Sequence, residues 1–269
     1  MAAHDPRFES LSGAASVEAA LDVPCSGEGL CDLYRPVTCA ERRLPVVGFI
    51  HGGGWHGGDK ADYGDLAARV ADRGYLCAAV NYRLSGQAAF PAALEDCKRA
   101  VRWLRAHAAA WGADTDRMAT WGHSAGGHLA ALVALTPGRF EPESAPGRSD
   151  VQAAVCYSTP LDVAGLGESL RGSVERFLGI PAGADGLRER EQASPIRYVD
   201  RGAPPFFVCH GEDDDLVPVE QSERFVAALR EAGGAVEFVR VAGAGHDLER
   251  HSREVFEAAV RFLDDHLGR

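Results

Sequence analysis

Short unbroken apolar runs and longer stretches of helical periodicity take turns along this chain. "LPVVGFIH" (44–51) meets no charged residue before its end, the pattern of a strand buried on both faces. "YLCAAVNY" (75–82), "RMATWGH" (117–123), "VQAAVCYS" (151–158), "PPFFVCHG" (204–211) and "AVEFVRVAG" (235–243) read the same way, and "GLCDLYRP" reads as an early strand running to Pro36. The residues ahead of it are loosely patterned. Between the runs lie helical patterns, at 65–74, 125–135, 219–234 and 253–267. The clearest spans 91–112, where Leu94, Cys97, Val101, Leu104, Ala108 and Trp111 recur at three- and four-residue spacing between Pro91 and Gly112. Strands alternating with helices predict an α/β fold, a mostly parallel sheet covered on both faces.

Two stretches break the alternation. Residues 136–150 are Pro/Gly-rich, and residues 160–200 are polar and only partly helical. Such insertions lie beyond strand ends, where ligands bind, so a small lid is expected within 136–200 of a single domain spanning 1–269.

Composition narrows the function classes. The chain has 269 residues, 46% hydrophobic and 25% charged, with a formal net charge of −11. That acidity argues against nucleic acid or an anionic membrane as partner. The N-terminal "MAAHDPRFES" has no apolar core of a secretory signal, and no apolar stretch is long enough to span a bilayer, so a cytoplasmic protein is expected. The seven cysteines (Cys25, Cys31, Cys39, Cys77, Cys97, Cys156, Cys209) form no C-x-x-C pair and several sit inside apolar runs, which fits small buried hydrophobes in a reducing compartment. His4, His107, His251 and His266 fall in a terminal tail or charged stretches and read as solvated.

Candidate chemistry concentrates at strand ends. "WGHSAGGHLA" (121–130) holds G-x-S-x-G as Gly122-His123-Ser124-Ala125-Gly126, between a strand and a helix. The pentapeptide also fits a glycine-rich helix start with an N-cap serine. On a sharp strand-to-helix turn, however, the serine hydroxyl would project above the sheet as a nucleophile. A serine needs a base and a carboxylate to orient it. "VCHGEDDDLVP" (208–218) ends a strand in Asp213, Asp214 and Asp215, and "VAGAGHDLE" (241–249) ends the next in His246. The order Ser, Asp, His is that of an α/β-hydrolase sheet. "GFIHGGGWHGGDK" (48–60) sets Gly52, Gly53 and Gly54 after an earlier strand, where backbone N–H groups could converge on an oxyanion with that of Ala125. His123 and His128 flank the serine and could line the site, His123 as a substrate-binding residue, although a structural role is the plainer reading of both.

With "HGGGWHGGDK", "NYRLSGQAAFPAALEDCKRAVRWLR", "GHSAGGHLAAL", "ASPIRYV", "APPFFVCHGEDDDLVPVEQSERF" and "GAGHDLE" in order, nearly the whole chain resembles α/β-hydrolase carboxylesterases of the hormone-sensitive-lipase-like branch. It looks closest to compact bacterial feruloyl or acetylxylan esterase-like proteins of BD-FAE type. The resemblance implies Ser124 as nucleophile, His246 as general base and, through H-G-x-x-D-x-x-V-P at 210–218, Asp214 as the acid. It implies Gly53 and Gly54 with Ala125 as oxyanion donors, and Trp55 and Tyr82 as pocket-lining or packing residues. It also implies a short-acyl carboxylesterase with no metal or organic cofactor, acting on acetyl or feruloyl esters. Many relatives carry Asp or Glu where this chain has His123. A formamide hydrolase of kynurenine formamidase type and a non-catalytic binding protein on the same fold are the rival expectations. The sequence gives no oligomeric state.

Overall fold

The unbroken apolar runs become neighbouring strands, since a strand with no polar face has to be covered on both sides. A computed structural model describes residues 8–11, 14–26, 29–38, 43–247 and 253–268. Its strands are β1 (Glu9–Leu11), β2 (Ala14–Ser26), β3 (Gly29–Pro36), β4 (Leu44–Ile50), β5 (Leu76–Val80), β6 (Ala113–His123), β7 (Ala153–Tyr157), β8 (Phe206–Gly211) and β9 (Val236–Val241). They form one sheet in the order β1-β2-β3-β5-β4-β6-β7-β8-β9. From β5 to β9 every pairing is parallel, while β1, β2 and β3 add an antiparallel edge.

The helices are α1 (Gly64–Asp72), α2 (Ala92–His107), α3 (Ala125–Leu135), α4 (Arg171–Leu178), α5 (Leu187–Gln192), α6 (Glu220–Glu231) and α7 (Arg253–Leu267). Strand alternation splits the core in two. Val46, Ile50 and Leu76 face α2, α3 and α6, whereas Val47, Phe49 and Cys77 face α1 and α7. This is the α/β-hydrolase arrangement, and it brings the C-terminal ends of β4, β6, β8 and β9 to one edge.

Several details depart from the sequence reading. β2 arises from the loosely patterned N-terminal stretch. Its pairing with β3 shifts register between Ala20 and Val23, with Asp22 at φ 55°, so the simple alternation is lost. The helix expected over 91–112 is α-helical only to His107, then tightens to a 3₁₀ turn at Ala108–Trp111 that Gly112 ends with φ 82°. Residues 136–150 contain no helix or strand, as expected. The insertion at 160–200 holds α4, α5 and short 3₁₀ turns, and its Val163, Val174, Phe177 and Ala193 are buried in the main core. Cys25, Cys31, Cys77, Cys97, Cys156 and Cys209 are buried free thiols. Cys39, His4 and His251 lie outside the described residues, as do residues 248 and 249 of "GAGHDLE". Among the described residues no helix is long and apolar enough to cross a membrane.

Candidate active site

Ser124 occupies the turn between β6 and α3 with φ 54° and ψ −124°, a conformation L-residues rarely adopt. Two bonds hold it there: its N–H donates to Tyr157 O at 2.8 Å, and its own carbonyl accepts from His128 N–H at 3.0 Å. The flanking glycines permit the turn. A Cβ on Gly122 would overlap the backbone of Gly126, and a Cβ on Gly126 would overlap the carbonyl oxygen of Ile50 at the end of β4. The G-x-S-x-G spacing is therefore a packing requirement of this strand–turn–helix, and it leaves Ser124 only partly buried.

β8 and β9 deliver the other two side chains. His246 Nε2 lies 3.0 Å from Ser124 Oγ, and His246 Nδ1 lies 2.7 Å from Asp214 Oδ2. Of the three consecutive aspartates, Asp214 alone is buried, while Asp213 and Asp215 are exposed. Its Oδ1 accepts the amides of Leu216 (3.0 Å) and Val217 (2.8 Å). Burial alone would raise the Asp214 pKa. Hydrogen bonds from His210, His246 and the Val217 amide, with the charge of His246, outweigh it and hold the carboxyl well below the usual carboxylate range. An ionised Asp214 requires the proton of His246 to sit on Nδ1, which leaves Nε2 as the acceptor for the serine hydroxyl.

The glycine loop closes over this edge. Gly52 packs on the serine turn, where a Cβ would stand 3.1 Å from His123 O and 3.6 Å from Ser124 Cβ. Gly53 and Gly54 have φ 107° and 59°. His56 and Gly57 donate to Gly53 O at 3.1 and 3.0 Å, turning the loop back on itself. No described residue accepts from the N–H of Gly53, Gly54 or Ala125. Beyond the glycines, Asp59 and Asn81 bond at 2.8 Å, and Lys60 pairs with Asp32 at 2.7 Å, so the "GGDK" end is tied to β3 and to the residue that follows β5. His51 donates to Gly52 O at 2.9 Å, and burial pushes its imidazole pKa down.

Of the two roles expected for Trp55, Tyr82 and His123, pocket-lining or structural, the packing role describes most of their contacts. Trp55 is 1% exposed: its indole stacks on Phe177 and its Nε1 donates to His128 Nδ1 at 3.1 Å, so it is a packing residue. Tyr82 is also buried, with its hydroxyl donating to His51 O at 2.8 Å and its ring stacked on His51. Its remaining edge lines a cavity of about 580 Å³ beside the glycine loop, a cavity that Ser124 does not line. His123 turns toward the histidine loop, its Nε2 donating to His246 O at 3.0 Å. Sequence reasoning assigned no role to His210, which is fully buried against Asp214. Its signal was the histidine four residues before the acid.

Sheet order, serine turn and the Ser124–His246–Asp214 series define an α/β-hydrolase-fold protein of the serine-triad type. The chain belongs to the BD-FAE family, whose model matches residues 31–229. It is 37% identical over 260 residues to "Esterase LipQ" of Mycobacterium tuberculosis, covering 91% of this chain and 61% of that protein. It spans less than two thirds of the length of the first mycobacterial relatives it matches. Among solved structures it is similar to a thermophilic esterase of Thermogutta terrifontis, Est2 with propionate bound, at 29% identity and TM-score 0.75 over 94% of this chain and 96% of that one. A truncated carbohydrate esterase from gut microbiota shares the fold at TM-score 0.87 and 22% identity, covering 97% of this chain and 100% of that one.

Proposed function

We propose that this protein is a serine carboxylesterase that cleaves small, short-acyl esters through an acyl-enzyme. The observation that carries the reading is the hydrogen-bonded series from Ser124 Oγ through His246 to the buried, ionised Asp214. In the reaction His246 Nε2 takes the serine proton as Oγ attacks the ester carbonyl. The oxyanion forms against the free N–H groups of Ala125 and the glycine loop, each donor being worth roughly a hundred- to thousandfold in rate. His246 then gives its proton to the departing alcohol, and a water repeats the sequence to release the acid. Asp214 keeps the imidazole in the productive tautomer and stabilises the imidazolium.

Two features support a short acyl group. Trp55, at the end of the glycine loop, and Phe177 of α4 are stacked and buried rather than open as a pocket wall. The insertion descends onto that loop, with Ser173 Oγ 3.7 Å from where a Cβ on Gly54 would stand. The 160–200 segment then acts as a docked roof over the site. The similar Thermogutta esterase was solved with propionate and with butyrate bound. Acetyl and feruloyl esters are the substrates to compare.

The test is a p-nitrophenyl ester series from acetate to laurate on wild type and Ser124→Ala. Hydrolysis that falls with chain length, with an acyl-enzyme burst and no activity in the variant, is the expected result. A folded wild type no more active than the variant on every ester would sink the esterase reading.

A further inference from the structure

Behind the aspartate lies a second histidine that the triad chemistry does not use. His210, near the end of β8, is fully buried and sets its Nε2 3.1 Å from Asp214 Oδ2, the same oxygen that receives His246 Nδ1 at 2.7 Å. That Nε2 also lies 2.8 Å from Val217 O, so it faces two acceptors and has to carry the proton. Its Nδ1 lies 2.7 Å from Ser222 Oγ in the first turn of α6, and accepts from that hydroxyl when the ring is neutral. Five side chains thus form one hydrogen-bonded series: Ser222, His210, Asp214, His246 and Ser124.

We propose that His210, fixed by Ser222, is a positioning residue that sets how strongly Asp214 acts on His246. The proposal rests on the esterase reading for its kinetic consequence. A carboxylate oxygen shared between two donors has less affinity for either proton than one serving a single donor. The second donor therefore moderates the stabilisation of the His246 imidazolium by Asp214. It also pins Oδ2 at the end of β8 while the two amides hold Oδ1. His123 lies against His246 with ring centroids 4.8 Å apart, and Asp213, Asp215 and Asp247 are exposed.

The deciding experiment is an NMR titration of isotope-labelled histidine in the full chain, read at His246, beside the pH dependence of p-nitrophenyl acetate hydrolysis. His210→Phe removes the shared donor, and His210→Gln keeps an N–H donor of similar reach. In His210→Phe the His246 pKa is expected to rise by about half a unit to one unit. The acidic limb of kcat/KM should follow it to higher pH, with kcat down about tenfold or more and KM little changed. His210→Gln should return His246 close to its wild-type titration. An unchanged His246 in folded His210→Phe, or equal shifts in the Phe and Gln variants, would overturn the proposal. If His210→Phe does not fold, Ser222→Ala replaces it, with a smaller rise expected and no rise counting against the idea. Should wild type cleave no ester, the esterase reading fails, yet the titration still decides the role of His210.

Discussion

The indole of Trp55 stacks on the ring of Phe177, with centroids 4.6 Å apart and planes 15° from parallel. The contact joins the glycine loop to α4 of the insertion. Trp55 has φ 60°, an unfavourable conformation for a bulky residue, and the stack, the bond to His128 and the Ser85 N–H on its carbonyl at 2.8 Å help hold the loop in its bend. Phe177 also meets Phe90 edge-on, and its carbonyl accepts from Phe90 N–H at 2.7 Å. Phe177→Ala should therefore destabilise the protein by about 3–5 kcal/mol, as expected for a buried aromatic truncation. It should also lower kcat on p-nitrophenyl acetate more than it raises KM, because the loop amides lose their aim. Denaturant unfolding and steady-state kinetics on one preparation check both, and intact kcat in a destabilised variant would separate the stack from the loop.

Strain at Ser124, the proposed nucleophile, gives a second prediction. At φ 54° and ψ −124° a serine is held where glycine fits freely. Ser124→Ala and Ser124→Gly should both abolish ester hydrolysis, but they should differ in stability. Glycine relieves strain of about 1–3 kcal/mol and gives back about 0.5–1 kcal/mol through its unfolded-state entropy, leaving Ser124→Gly about 1 kcal/mol more stable than Ser124→Ala. Equal unfolding midpoints would mean that the turn stores no more strain than the about 0.5–1 kcal/mol that glycine's entropy takes back.

The glycine loop makes a third. A Cβ on Gly53 would overlap the carbonyl oxygen of Gly57, and the residue sits at φ 107°. Gly53→Ala should shift the loop and reduce kcat by about a hundred- to thousandfold while the fold persists. Near-normal turnover in this variant would remove the glycine loop from the proposed chemistry.

Much of this arrangement was readable in the chain, and particular residues show where legibility stopped. The strands β4 to β8 announced themselves because two-sided burial leaves an unbroken apolar run. The strand β2 did not, because its bulge at residues 20–23 carries the odd positions from one face to the other: Val17 and Ala19 lie on one core, Val23 and Cys25 on the other. Ser124, His246 and the aspartate cluster stood out by type and order. Which aspartate meets His246 depended on a turn geometry that no periodicity encodes. Trp55 was left between pocket wall and packing for a related reason: an aromatic beside a glycine loop fits either role until the Phe177 ring it stacks on is seen. His210 carried the faintest signal, since a buried histidine in an apolar strand is more often packing than chemistry.

His128 supplies the last prediction, for stability against pH. Its Nδ1 accepts the Trp55 indole N–H at 3.1 Å and its Nε2 donates to Ala193 O at 2.7 Å, so only the neutral ring satisfies both. Burial pushes its pKa down from 6.5 to about 4, while the bond to Ala193 acts weakly the other way. Between those two values the unfolded chain binds a proton that the folded protein refuses, so the group's contribution is full above pH 6.5 and falls away as pH drops toward 4. The loss across that window is about 3 kcal/mol. His128→Gln keeps an acceptor and a donor but cannot titrate. Its unfolding free energy, followed by denaturant from about pH 7.5 to about pH 4.5, should run parallel to wild type at the upper end and fall less steeply below it. Curves that stay parallel throughout would show that His128 takes up its proton in the folded state as readily as in the unfolded chain.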